Sequence, residues 1–157
     1  MRKNIVRRES GSGSKAGTEW MELENLAQVE ITSEDPSHPI ESALEPTGES
    51  GWRAAESGPQ RIRLFFDRPQ KLKRIYLLIN ERNIPRTQEF VLRWSGDGGR
   101  SYHDIVRQQY SFSPPGTVTE QEEYQVDLTD VTALELEIIP DIGGSAAKAS
   151  LGRFLIA

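Results

Sequence analysis

From Ile62 onward, hydrophobic side chains recur at every second position, and that spacing restricts the chain to extended strands. Ile62, Leu64 and Phe66 alternate with Arg61, Arg63 and Phe65. Ile75, Leu77 and Ile79 alternate with Arg74, Tyr76 and Leu78. Phe90, Leu92 and Trp94 alternate with Val91, Arg93 and Ser95. Tyr124, Val126 and Leu128 alternate with Gln125 and Asp127, and Leu134, Leu136 and Ile138 with Glu135 and Glu137. Successive strand side chains point to opposite faces, so each run offers one apolar and one more polar face. The Ile75 run is apolar on both faces, which predicts a central strand.

Turn chemistry separates the runs. Ser95-Gly-Asp-Gly-Gly99 is a hairpin signal, because its glycines and Asp97 accept positive φ. Asp67-Arg-Pro-Gln70 is expected to close the first pair of strands. Asn83-Ile-Pro85 and Ser113-Pro-Pro-Gly116 read as longer loops, and Pro140 belongs at a strand end because it cannot donate to a ladder. One segment, Ser37 to Leu44, predicts a short helical turn capped by Ser37, with Pro39 in its first turn. No internal repeat is visible. Many short strands and little helix predict an all-β antiparallel sandwich or closed barrel.

The chain of 157 residues suits one domain with one core, and its charged content of 27% is ordinary for a soluble protein. No stretch is long and apolar enough for a membrane helix. The start, Met1 to Arg8, is basic, but no apolar segment follows it, so the chain reads as cytoplasmic. Residues 1–17 read as a flexible basic, Gly/Ser-rich tail, and residues 18–157 as the domain. The absence of cysteine excludes disulfides, thiolate zinc sites and cysteine nucleophiles. A net charge of −5 argues against general binding to nucleic acid or to anionic membranes.

The order of features carries a resemblance. A short strand, Ala27 to Ile31, precedes Pro39-Ile-Glu-Ser-Ala-Leu44 and Gly51-Trp-Arg-Ala54. Arg63-Leu-Phe-Phe-Asp67 leads to Leu72-Lys-Arg-Ile-Tyr-Leu77. Phe90-Val-Leu-Arg-Trp-Ser95 runs into Asp97-Gly98 and an aromatic at Tyr102, and Leu134-Glu-Leu-Glu-Ile-Ile-Pro140 leads to a closing strand. Over about 130 residues this resembles the discoidin-type (coagulation factor 5/8 C-type) galactose-binding-like domains. The resemblance implies an antiparallel jelly-roll sandwich of about eight strands. It implies ligand binding through loops at one end, often to sugars, sometimes to phospholipid head groups or proteins. It implies a tryptophan, here Trp52, packed under those loops. It also implies a calcium site using an Asp after the Ala-Leu pair and a Glu near the final strand. Those places hold Glu45 and Gly152-Arg153. Calcium takes several oxygen ligands, so one carboxylate is missing and no cofactor is expected.

Two segments are candidate ligand loops. Glu81-Arg-Asn-Ile-Pro-Arg86 concentrates a carboxylate, two guanidiniums and an amide, the groups that hydrogen-bond vicinal sugar hydroxyls. Arg107 to Gly116 carries Tyr110 and Phe112 on one face, a platform for the apolar face of a sugar. The candidate ligand-binding residues are therefore Arg82, Asn83, Arg86, Tyr110 and Phe112, with solvated ion pairs and ordinary core packing as the alternatives. His38 and His103 are far apart and lack metal-ligand spacing. Glu120-Gln-Glu-Glu123 reads as a solvated strand start, and Glu135 and Glu137 as exposed carboxylates. No nucleophile elbow, phosphate loop, dinucleotide fingerprint or zinc-protease motif is present. The sequence is thus read as a non-catalytic carbohydrate-binding module. A protein-interaction or assembly module is the second reading, and nucleic-acid binding through Arg53, Arg61, Arg63 and Arg74 is the third.

Overall fold

The computed structural model describes residues 20–47 and 50–157; the tail expected over residues 1–17 lies outside them. One turn of helix, α1 (Leu23–Leu26), leads into eight strands: β1 (Ala27–Ile31), β2 (Trp52–Ser57), β3 (Gln60–Asn80), β4 (Arg86–Ser95), β5 (His103–Phe112), β6 (Thr119–Ile139), β7 (Lys148–Leu151) and β8 (Arg153–Ile156). All pairings are antiparallel.

The 21-residue strands β3 and β6 form one long ribbon. Its first half, Gln60–Phe65 against Ala133–Ile138, is flanked by β1 and then, on the other side, by β4 and β5. Its second half, Arg74–Asn80 against Thr119–Gln125, has β8 on the free side of β3. The Ile75 run is therefore central, as its two apolar faces predict. Register shifts between Phe65 and Arg74 mark where this ribbon, continuous within one six-stranded sheet, bends over on itself to form both layers, while β2 and β7 pair separately. Asp67–Gln70 is thus not the turn expected from its sequence. The chain stays extended there, and Gln70 and Leu72 still pair with Val131 and Leu128. Pro69 is exposed at this bend, where the ladder is already interrupted and a missing N–H is tolerated.

The alternating residues meet between the sheets. Ile62, Leu64, Ile75, Leu77, Ile79, Phe90, Leu92, Leu134, Leu136 and Ile138 are all buried, with Trp52, Phe112 and Phe154 among the largest fully buried side chains. Trp52 donates Nε1–H to the Ser33 carbonyl at 3.1 Å, which satisfies its one polar atom.

The expected helical turn is a single 3-10 turn, Ile40–Ser42, and Ser37 does not cap it. The Ser37 amide donates to Asp35 Oδ1 at 2.9 Å in an Asx turn, and the first amide of the 3-10 turn, Ile40 N–H, donates instead to Glu34 Oε1 at 2.8 Å. The Ser95–Gly99 hairpin forms as read, with φ of +77° and +89° at Gly98 and Gly99. Hydrogen bonds from the Ser101 and Ser95 hydroxyls hold the Asp97 carboxyl far below the usual carboxylate range and tie the turn together.

The pairing register gathers the loops at two ends. One end collects the hairpin 96–102, the ribbon's bend and the chain terminus. The other collects the segments 32–38, 58–59, 81–85, 113–118 and 140–147, because Ile31, Gln60, Asn80, Arg86, Phe112, Thr119 and Ile139 all lie at that end of their strands.

Candidate functional site at the loop end

The loop between β3 and β4 is built around Glu81. This carboxylate is buried, and its Oε2 accepts the backbone N–H groups of Asn83 at 3.0 Å and Ile84 at 3.1 Å. Its Oε1 accepts Arg86 Nε–H at 2.7 Å. Burial pushes the Glu81 pKa up, but the guanidinium and the two amides outweigh it and hold the carboxyl below the ordinary glutamate range.

Arg86 is not available to a ligand. Its side chain is fully buried, its Nη1 donates to the Pro140 carbonyl at 2.7 Å and to Gln88 Oε1 at 3.2 Å, and its Cζ lies 4.7 Å from the centre of the Phe112 ring. Phe112 is 1% exposed. Both were expected at the ligand surface, and both are corrected to interior groups. The reason is strand parity: Arg86 shares its face with Gln88, Phe90 and Leu92 and is paired with Phe112, so both point between the sheets. A charge taken inside needs a partner, and Glu81 supplies it.

Tyr110 is half-buried; its hydroxyl donates to the Thr119 carbonyl at 2.9 Å and its ring meets Phe112 edge-on at 5.0 Å. It therefore packs along the β5–β6 side of the sandwich and does not share an open concavity with Arg86. Arg82 and Asn83 are exposed, and among the described residues their side chains make no hydrogen bond or ion pair.

Two further groups reach this end from elsewhere in the sequence. Arg53 on β2 pairs with Ser150 on β7, whose hydroxyl donates to the Asn80 carbonyl at 3.2 Å, immediately before the Glu81 loop. The Arg53 guanidinium has no partner among the described residues. Its backbone N–H donates to the His38 carbonyl at 3.2 Å and its carbonyl accepts from Asp35 N–H at 2.8 Å, which lays the 35–38 loop alongside β2. His38 Nδ1 is buried without a hydrogen-bond partner and stands 3.6 Å from Asp35 Oδ2. The Ser37 N–H, opposed by desolvation and aided by His38 and Lys148, holds the Asp35 carboxyl below its usual range. Finally, the two exposed large hydrophobics among the described residues, Ile84 and Ile142, both lie here, and Ile142 N–H donates to the Thr87 carbonyl at the start of β4.

Sequence reasoning considered His38 only as a metal ligand and Arg53 only as a phosphate contact. No local pattern joins them to Arg82; the joining is done by the β2–β7 pairing. Of the four arginines considered for nucleic acid, Arg63 is bound to Glu135 at 2.7 Å, and Arg74 is bound to Glu123 at 2.7 Å and covers Trp20. Glu135 is only 4% exposed, not a free surface carboxylate, because Arg63 and Arg93 close over it. Glu120 is likewise buried, not solvated. The residues also do not fit the calcium site of the resemblance: Glu45 is exposed, and Gly152 and Arg153 offer no carboxylate.

A scan against protein-family models and a search of the curated proteins both find no match. Solved structures do match. A family 32 carbohydrate-binding module (the third in a family 31 glycoside hydrolase) from Clostridium perfringens superposes with a TM-score of 0.68 at 16% identity, over 92% of this chain and 98% of that one. The family 32 module of C. perfringens NanJ, solved in complex with galactose, gives 0.64 at 13% identity, over 87% and 96%. A pectin-binding module gives 0.58 at 17% identity, over 83% and 89%. The fold is the discoidin-like jelly roll. In this discoidin-like sandwich the loop end described above is where unpaired polar groups and exposed aliphatic groups accumulate together.

Proposed function

We propose that the protein is a non-catalytic carbohydrate-binding module whose ligand sits on the loop end, between the Arg82–Ile84 segment, Arg53 and the 140–147 segment. The carrying observation is the coincidence at one end of unpaired Arg82, Asn83 and Arg53 with the two exposed isoleucines. Fork-shaped guanidinium donors and an amide suit vicinal hydroxyls or a uronate carboxylate, while Ile84 and Ile142 suit the C–H face of a pyranose ring. The likeness in fold to modules solved with galactose and named for pectin supports the same reading.

Catalysis has no support in these groups. Calorimetry with galactose, N-acetylgalactosamine-β-1,3-galactose and oligogalacturonides tests the reading. Saturable heat with at least one of them that disappears in Arg82→Ala is the expected result. Absence of binding to all three classes and to a broad glycan array sinks it.

A further inference from the structure

Behind the proposed ligand loop runs a buried polar chain that no ligand contact requires. Asn83 and Ile84 N–H groups bind Glu81; Glu81 binds Arg86; Arg86 Nη1 binds Gln88 Oε1; Gln88 Nε2 donates to Glu120 Oε1 at 3.0 Å. Two atoms of this polar chain are buried without partners within it, Arg86 Nη2 and Glu120 Oε2. Glu120 Oε1 accepts from Gln88, so in the neutral carboxyl the proton sits on Oε2, on the side of Glu122, and Oε2 becomes an acceptor only when that proton leaves. Gln88 holds both residues at once. Beside Glu120 on the same inward face of β6 is Glu122, two residues on.

We propose that Glu81, Arg86, Gln88 and Glu120 act together as positioning residues for the 82–84 loop, and that the proton held at the Glu120/Glu122 pair decides whether Arg86 stays with Glu81. With that proton present, Glu120 is neutral and asks nothing of the guanidinium, so Arg86 neutralises Glu81 and Glu81 is fixed to clamp the loop amides. When the Glu120 carboxyl releases its proton to solvent, an anion appears at the far end of Gln88. The spare Arg86 Nη2–H is then drawn toward Glu120 Oε2. A guanidinium shared between two buried carboxylates holds Glu81 less firmly, and the Asn83 and Ile84 amides lose their anchor.

The charged and titratable neighbours of Glu120 act in both directions, and burial with Glu122 prevails. From β4, Arg86 and Gln88 favour the anion; from the 81–85 loop, Glu81 faces Arg86 rather than Glu120; from β6 itself, Glu122 opposes the anion and Tyr124 stays neutral; from β5, Tyr110 is committed to the Thr119 carbonyl. From β3, the residue paired with Glu120 is the apolar Ile79. Burial first, and then Glu122, push the Glu120 carboxyl up to about 8, while Gln88 and Arg86 pull the other way. The switch therefore falls within reach of ordinary buffers.

The device works without any ligand, so its test is independent of the carbohydrate reading. Amide hydrogen exchange by NMR, corrected for intrinsic rates, is followed on the full chain from about pH 6 to about pH 10. The expected result is that protection at Asn83 and Ile84 falls about tenfold or more as the pH passes through the Glu120 transition, while Phe90 and Leu136 hold. Glu120→Gln, which fixes the neutral form, is expected to remove that fall. Glu122→Gln, a half-exposed position that leaves the core intact, is expected to move its midpoint to lower pH by about one unit. Loop protection that does not change with pH in the wild type, or that falls identically in Glu120→Gln, overturns the proposal. If Glu120→Gln does not fold, an unmoved midpoint in Glu122→Gln overturns it instead.

Discussion

Arg86 and Glu81 meet at 2.7 Å with the arginine side chain wholly out of solvent and the carboxylate nearly so. The pair closes the loop end from beneath. Its members lie five residues apart, on either side of the loop they brace, so the loop cannot open without exposing or separating a buried ion pair.

Removing one member alone should therefore be expensive. Glu81→Ala leaves a buried guanidinium uncompensated and is expected to lower unfolding stability by about 3–5 kcal/mol. The double variant Glu81→Leu with Arg86→Met fills the same volume with apolar groups and is expected to recover most of that loss. Urea or thermal unfolding of Glu81→Ala, of the singles Glu81→Leu and Arg86→Met, and of their double measures both. Additive losses in the cycle would show that the two residues are not coupled.

Stability should depend on pH in a direction set by Glu120. Its folded pKa, about 8, lies above the ordinary value of 4.5, so between those limits the folded state binds the proton that the unfolded state has released. Unfolding then takes up no proton but loses one, and stability falls as pH rises through this window, by at most about 1.4 kcal/mol per unit. Glu81 and Glu135 act oppositely, since both are held below their ordinary value; their contribution is present above it and lost in more acidic solution. The expected profile peaks near mild acidity. Glu120→Gln should flatten its alkaline limb, as read by melting temperature across buffers.

Much of the sandwich was legible in the sequence: alternation marks the Ile75 run as central, turn chemistry marks the Ser95–Gly99 hairpin, and the order of features marks the strand Ala27–Ile31. The candidate site was half legible. Arg82 and Asn83 reach solvent as read, while Arg86, on the same loop, does not. The parity that makes Phe90 and Leu92 core residues also points Arg86 and Gln88 inward, but polar side chains on a buried face are read as exposed unless their partner is known. Glu81 is that partner, and the hydrogen bonds that recruit it are local to a loop whose shape no periodicity encodes. Glu120 follows the same logic, sharing parity with Tyr124, Val126 and Leu128. The approach of Arg53 to the Asn80 carbonyl through Ser150 depends on pairings across 70 residues of sequence, which single-sequence patterns do not carry.

Binding and stability should separate cleanly at the loop. Arg82→Ala removes an exposed, unpaired guanidinium, so unfolding stability is expected to stay within about 0.5 kcal/mol. Loss of one charge-assisted hydrogen bond should weaken saccharide affinity by about tenfold or more. Arg86→Ala should do the reverse in kind, lowering stability by several kcal/mol and harming binding only through the disordered loop. Calorimetry paired with thermal melts distinguishes the two, and equal melting-point losses would remove Arg82 from the exposed set.

The opposite end supplies a control. Gly99 has φ of +89°, and a Cβ there would stand 3.0 Å from Phe65 Cε1 and 3.1 Å from the Tyr102 hydroxyl. Gly99→Ala thus combines a left-handed backbone with a contact tighter than packed side chains accept, and about 1–2 kcal/mol of stability should go. Because the hairpin lies at the end remote from Arg82 and Arg53, saccharide affinity at a temperature well below unfolding should be unchanged. A loss of affinity in Gly99→Ala matching that in Arg82→Ala would mean the ligand is read at the hairpin end, and the placement of the site argued above would be wrong.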